Sequence, residues 1–227
     1  MQRVPTSYRE LIDELSSKVD SLSESSQYWI GLAGAPGSGK STVAQRIKEA
    51  LGDQITIIPM DGYHYSRSEL DKMEDPEEAH ERRGAPFTFN SQKFVADLVE
   101  ARRTRSSHFP GFDHEERDPV DNRISLKPGK RLVIVEGNYL LLNESPWNRL
   151  QREVFNETWF LFLPLEECKR RVLKRHRQVM KLSREESMWR VMTNDGPNAE
   201  LVNQESVGNA DRIIEIRSDA TYSELAS

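Results

Sequence analysis

Residues Gly34-Ala35-Pro36-Gly37-Ser38-Gly39-Lys40-Ser41 fill every fixed position of the pattern G-x-x-x-x-G-K-[ST]. A loop of this kind works only between a buried strand and the start of a helix, because its inward-turned backbone amides must meet phosphate at the positive end of the helix dipole. Both flanks comply. Tyr28-Trp29-Ile30-Gly31-Leu32-Ala33 is an apolar run fit for a buried strand, and Val43, Ile47, Ala50 and Leu51 recur at helical spacing until Gly52 stops the pattern. Glycines let the chain turn tightly enough for successive N–H groups to face a phosphate. Lys40 can then reach the β- and γ-phosphates, the Ser41 hydroxyl is placed to ligate Mg²⁺, and Thr42 completes the loop. A nucleoside triphosphate is the expected ligand of residues 34–42.

Further apolar runs, Ile55-Thr56-Ile57-Ile58, Leu132-Val133-Ile134-Val135, Trp159-Phe160-Leu161-Phe162-Leu163 and Ile213-Ile214-Glu215-Ile216, alternate with helix-length segments. Together with the first run they predict an α/β fold of the phosphate-loop NTPase type, a five-stranded parallel sheet flanked by helices with a small helical lid. Residues 1–26 read as an amphipathic helix, with Tyr8, Leu11, Ile12, Leu15, Val19 and Leu22 on one stripe, packed on a main domain of 27–227. The long polar stretch 61–130 carries turn signals at Pro76, Gly84-Ala85-Pro86, Pro110-Gly111 and Pro128-Gly129 and one helix after Asn90-Ser91. Too long for an idle loop, it reads as the acceptor region.

The chain of 227 residues has a formal net charge of −5, which argues against broad binding to nucleic acid or an anionic membrane. Cys168 is the lone cysteine, so an intrachain disulfide is impossible and a cytoplasmic setting is expected. No targeting signal or membrane-length apolar stretch is visible, and a homodimer stays open.

A phosphate loop alone does not separate kinases from switches. Asp61 follows the second strand of the predicted sheet, where open α/β sheets place their ligands, and its carboxylate can activate an acceptor hydroxyl there. Glu136 follows the third strand, positioned to hold a metal or its water shell. The basic run Lys169-Arg170-Arg171-Val172-Leu173-Lys174-Arg175 puts Arg171 and Arg175 on one helix face, suited to a lid, at about 168–190, that carries transition-state charge. A regulatory ATP-binding protein without an acceptor is the alternative, and a nucleic-acid 5′-hydroxyl kinase, suggested only by residues 169–177, a third reading.

The motifs resemble those of the pantothenate kinase, uridine kinase and phosphoribulokinase group. Met60-Asp61-Gly62-Tyr63-His64 is one; Arg82-Arg83-Gly84-Ala85-Pro86-Phe87-Thr88-Phe89-Asn90 is similar to the segment R-K-G-x-P-x-S-Y-D, and Phe109-Pro110-Gly111-Phe112-Asp113-His114 to P-x-Y-x-H. Trp189, Asn194-Asp195-Gly196-Pro197-Asn198 and Asn203 fall at the spacing of the group's C-terminal substrate stretch. The resemblance implies an ATP- and Mg²⁺-dependent kinase acting on a small-molecule hydroxyl, with Asp61 as base and Glu136 associated with magnesium. It also implies that Tyr63, His64, Arg83, His114 and Asn203 line the acceptor, with Asn198 supporting that wall. Phe112 stands where the group has tyrosine, Ala85 where it has a bulky aromatic and Asn90 where it has aspartate, so the acceptor stays open.

Overall fold

The computed structural model describes residues 3–113 and 115–217. Its main sheet has six strands, one more than the sequence suggests, in the order β1-β8-β7-β2-β6-β3. These are β1 (Arg3–Thr6), β2 (Tyr28–Ala33), β3 (Ile55–Pro59), β6 (Leu132–Gly137), β7 (Glu157–Leu161) and β8 (Arg212–Ile216), and every pairing among them is parallel. The additional strand is β1, beside β8 at the edge. Only Thr6 of its four residues is buried, so no apolar run announces it, and Pro5 is tolerated because it lies on an edge strand.

Side chains alternate across the central strands. Trp29, Ala33, Val133 and Val135 enter the core on one face, while Ile30, Leu32, Leu132 and Ile134 enter the core on the other. The second face is covered by α1 (Tyr8–Ser21) through Leu11, Leu15 and Val19, and by α2 (Lys40–Leu51) through Val43 and Ile47. Helix α1 starts at a reciprocal cap, in which Ser7 accepts from the Glu10 amide and Glu10 accepts from the Ser7 amide.

Between β3 and β6 the chain forms α3 (Arg67–Leu70), α4 (Pro76–Glu81), α5 (Ser91–Thr104) and an antiparallel hairpin, β4 (Ser107–Asp113) with β5 (Asp118–Leu126). The hairpin was not foreshadowed: its burial pattern lacks clean alternation, and Pro110 falls at a register shift between Phe109 and Gly111. It is pinned beside the end of β3, where any side chain on Gly62 would collide with the Pro110 carbonyl. After β6 come α6 (Arg149–Glu153), then, beyond β7, α7 (Leu165–Gln178), α8 (Arg184–Arg190), a π-helical turn at Val191–Asp195 and α9 (Gly196–Ser206). Among the described residues no helix is long and apolar enough to cross a membrane.

Candidate active site

Strand β2 lies between β6 and β7, so the loop that follows it opens at the middle of the sheet's C-terminal edge. Gly37 and Gly39 sit at φ 84° and 101°, the left-handed conformations that turn the loop into α2. Lys40 begins that helix with its side chain folded back. Its Nζ donates to the carbonyls of Gly34 at 2.8 Å and Ala35 at 3.1 Å and to Asn138 Oδ1 at 2.8 Å. Burial holds the Lys40 pKa below its usual value; the charges of Glu136 and Asp61 oppose that and Arg175 adds to it. The Ser41 hydroxyl donates to Glu136 Oε1 at 2.9 Å, and the Ser38 hydroxyl is buried with no hydrogen-bond partner.

Glu136, only 8% exposed, is the penultimate residue of β6. Burial and the nearby Asp61 push its carboxyl above the ordinary range, while Lys40 and the Ser41 hydrogen bond pull it back. Gly137 makes the neighbouring approach possible, since a Cβ there would lie 2.6 Å from the Met60 Cβ. Met60 in turn carries Asp61, which is exposed and whose charge acts on Lys40, Glu136 and His64. The structure therefore brings Lys40, Ser41, Asp61 and Glu136 to one place.

These groups suit magnesium carried with a triphosphate. Ser41 and Glu136 supply hard oxygen donors, and the orphaned Ser38 hydroxyl sits within the loop that receives phosphate. Among the described residues no group of three or more His, Cys, Asp or Glu could hold a metal unaided. The remaining ligands would be phosphate oxygens and water.

The implied acceptor residues divide. His64 stacks on Phe89 with ring centroids 3.9 Å apart and lies 5.3 Å from Phe112; its Nδ1 is buried without a partner. Burial depresses its pKa to about 4, so the ring is neutral near pH 7. Tyr63 does not line an open site. Its ring is buried against Phe94, and its hydroxyl donates to Asp97 at 2.8 Å. Arg83 is also committed elsewhere: it donates to the carbonyls of Arg117 and Tyr65 and pairs with Asp118 at 2.8 Å, tying the start of β5 to the segment after β3. Asn198 is buried behind Asn194, to whose Oδ1 it donates at 2.9 Å, so it supports the wall rather than forming it. Asn203 is half-buried, one turn beyond Ala199, which packs with Ala35 and Cys168. His114 lies outside the described residues.

Helix α7 rests directly on the phosphate loop, for a Cβ on Gly37 would meet the Cys168 carbonyl oxygen at 2.6 Å. Arg171 on this helix reaches over Gly39, with Nη1 3.8 Å from where a Cβ would stand, and its Nε is steadied by Glu167 at 3.0 Å. Arg175, one turn on, is exposed and close enough for its charge to act on Lys40. At the far end of α7 the buried His176 contacts Asp195 at 2.7 Å, joining the helix to the π turn.

Three contributors have no role assigned by the sequence motifs, although Asn194 stands inside one of them. Asn138 holds Lys40; Tyr139 donates to the Gly84 carbonyl at 2.5 Å; and Asn194, 1% exposed, donates to the Arg83 carbonyl at 2.9 Å. Asn138 and Tyr139 directly follow Glu136-Gly137, so position alone marks them as candidates, whereas the Asn194 contact joins residues far apart in the chain.

A phosphate loop at the centre of a parallel sheet, two carboxylates at adjacent strand ends and a basic helix across the loop define a P-loop kinase. The chain belongs to the Phosphoribulokinase / Uridine kinase family, whose sequence model matches residues 29–155. It is an ATP-dependent phosphotransferase acting on an alcohol. A Schizosaccharomyces pombe protein with the provisional name of a uridine kinase is 38% identical over 206 residues, covering 86% of each chain. The ATP-dependent kinase YFH7 of Kluyveromyces lactis is 33% identical across 74% of this chain and 60% of its own. Among solved structures, one from Silicibacter sp. TM1040, provisionally titled a fructose transport system kinase, superposes with a TM-score of 0.79 at 27% identity, covering 92% of this chain and 98% of that one. YFH7 of Saccharomyces cerevisiae shares the fold, with a TM-score of 0.80 at 21% identity and coverage of 94% and 100%.

Proposed function

We propose that the chain transfers the γ-phosphoryl group of ATP to a hydroxyl of a small metabolite, with Asp61 accepting the hydroxyl proton. The observation that supports this most is the contrast between Asp61 and its surroundings: an exposed carboxylate beside the buried Lys40, Ser41 and Glu136, free of any role in holding the loop. In this reading the backbone from Gly34 to Thr42 cradles the phosphates. Lys40 exchanges its three loop and Asn138 acceptors for β- and γ-phosphate oxygens, at little net loss of hydrogen bonds. Ser41 and Glu136 hold Mg²⁺, which when bound supplies charge neutralisation at those oxygens. Arg171, held over Gly39, and Arg175 meet the charge of the transferring group. His64, Phe89 and Phe112 offer the acceptor a mostly apolar, uncharged wall that excludes water from the attacking oxygen.

Relatives named for uridine and for fructose transport make nucleosides and sugars the first compounds to try. The test is a panel of hydroxyl metabolites incubated with γ-labelled ATP and magnesium. A labelled organic product is expected. Labelled inorganic phosphate alone, across the whole panel, would mean that the chain hydrolyses ATP and has no metabolite acceptor.

A further inference from the structure

Two arginines between the acceptor region and the lid are not used by the chemistry above. Arg82 closes α4 and Arg190 closes α8, yet each reaches one of two groups that are hydrogen-bonded to each other, Asn194 and the Arg83 carbonyl. Arg82 Nε lies 3.4 Å from Asn194 Oδ1, and Arg190 Nη2 lies 3.3 Å from the Arg83 carbonyl, which also accepts from Asn194 Nδ2 at 2.9 Å. Asn194 is fully buried and engaged by Asn198 as well, so it is a fixed support rather than a mobile neighbour. Each guanidinium makes one long hydrogen bond and keeps most of its donors.

What neither has is a counter-ion. Among the described residues no carboxylate lies within ion-pair distance of Arg82 or Arg190, and Arg190 Nε is buried with no partner. Neighbouring arginines differ: Arg83 pairs with Asp118, and Arg170 and Arg171 pair with Glu167. Exposed arginines such as Arg177 are satisfied by water, whereas Arg82 and Arg190 are partly buried. In a chain with 37 acidic residues, two partly buried cations without a counter-ion, one on Asn194 and the other on the Arg83 carbonyl that Asn194 also holds, offer free donors to an oxyanion from outside.

The location ties this site to the reaction. Tyr139, held on the Gly84 carbonyl, is raised in pKa by burial first and then by Asp195; Arg82 opposes that shift and Asp61 adds to it. The link is structural: Tyr139 follows Asn138, which holds Lys40, and it donates to the Gly84 carbonyl, one residue on from the Arg83 carbonyl that Arg190 and Asn194 hold. We infer that Arg82 and Arg190 bind a carboxylate or phosphate group on the acceptor, so that the substrate is an anionic hydroxyl compound oriented with its alcohol toward Asp61. This rests on the kinase reading above.

Two experiments keep the inferences separate. In the first, arginine Nε–H resonances are followed by NMR in the intact chain, saturated with magnesium and a non-hydrolysable ATP analogue so that the phosphate loop is filled. The spectrum is then titrated with acetate and, separately, with inorganic phosphate. Saturable shifts of the two signals that vanish in Arg82→Gln and Arg190→Gln are expected, and the anion that causes them tells carboxylate from phosphate. Absence of saturable shifts with both anions overturns the inference whatever the enzyme phosphorylates.

The second compares ribose 5-phosphate with ribose, gluconate with glucose, and the neutral uridine and fructose as acceptors. An anionic compound should exceed its neutral counterpart at least tenfold in kcat/KM. Arg82→Gln and Arg190→Gln should each raise its KM about tenfold to a hundredfold, with the KM for ATP within about twofold of wild type. Efficient turnover of a neutral acceptor that is indifferent to both substitutions overturns the anion site and leaves the kinase intact. A loss confined to the KM for ATP assigns the arginines to the nucleotide and also overturns it.

Discussion

Asp61 and Glu136 stand at the ends of neighbouring parallel strands, yet the fold treats the two carboxyls differently. Glu136 is buried, hydrogen-bonded to Ser41 and pushed up in pKa by that burial and by Asp61; Asp61 itself is exposed and has no such tie. Asp61→Asn should leave Mg-ATP affinity within about threefold while lowering kcat by about 10²-fold or more, the scale for losing a positioned base. Calorimetry with ATP beside product formation checks both halves, and an equal loss in each would move Asp61 to the metal. His64 offers a second test. With a folded pKa of about 4 against about 6.5 unfolded, it stays neutral in the native state while the unfolded chain takes up its proton, so its contribution to stability is lost as pH falls from about 6.5 to about 4. Between pH 7.5 and 5 the stability advantage of wild type over His64→Gln should shrink by about 2 kcal/mol in urea unfolding. A constant difference would mean that His64 titrates alike in the folded and unfolded chains.

At the scale of elements, α7 is the piece that gives the phosphate loop its roof. Gly37→Ala places a Cβ against the Cys168 carbonyl at a φ of 84°, so the helix must lift or the loop must deform. A stability loss of about 1–3 kcal/mol is expected, with a marked drop in ATP affinity. Gly52→Ala, at φ 58° and ψ −128° with nothing within 4 Å, is the control: a backbone-strain cost of about 1–3 kcal/mol and no change in ATP binding. Arg171→Ala should lower kcat more than it raises the KM for ATP, because its guanidinium lies over the loop's last glycine; equal effects would mark a ground-state contact. These elements differ in how far the sequence revealed them. The loop, and the positions of Asp61 and Glu136 at strand ends beside it, are legible because each stands directly against an apolar strand. Tyr63 and Arg83 were misplaced because a motif gives a residue's neighbourhood and not its direction: one hydroxyl turns to Asp97, and one guanidinium turns to Asp118. The Asn194 support escaped because the π turn that aims it follows from packing between α7, α8 and α9, not from a local pattern.

Across the whole molecule, the site draws on the ends of β2, β3 and β6, and the roof comes from the chain after β7. Strand β1 lies at the opposite edge, separated from β2 by β8 and β7. Its attachment is slight: three of four residues are exposed, and beyond its pairing with β8 the Arg217 amide donates to the Thr6 carbonyl and the Arg3 guanidinium lies over the Phe162 ring at 3.6 Å. Helix α1 is anchored independently, through Leu11, Leu15 and Val19 in the core and the Glu14 pair with Arg212 at 2.5 Å. Removing residues 1–6 should therefore lower Tm by roughly 5 °C, equivalent to about 2 kcal/mol in a chain of this size, while kcat and the KM for ATP at 25 °C stay within about twofold. The removal also leaves the β8 edge, with Ile213, Ile214 and Ile216, open to pairing with other chains. Light scattering on heating should show concentration-dependent aggregation that the full chain lacks. A truncated protein that melts as a single cooperative unit but has lost turnover would show that the far edge of the sheet sets the geometry at Asp61 and Lys40, against the local assembly argued from the strand order.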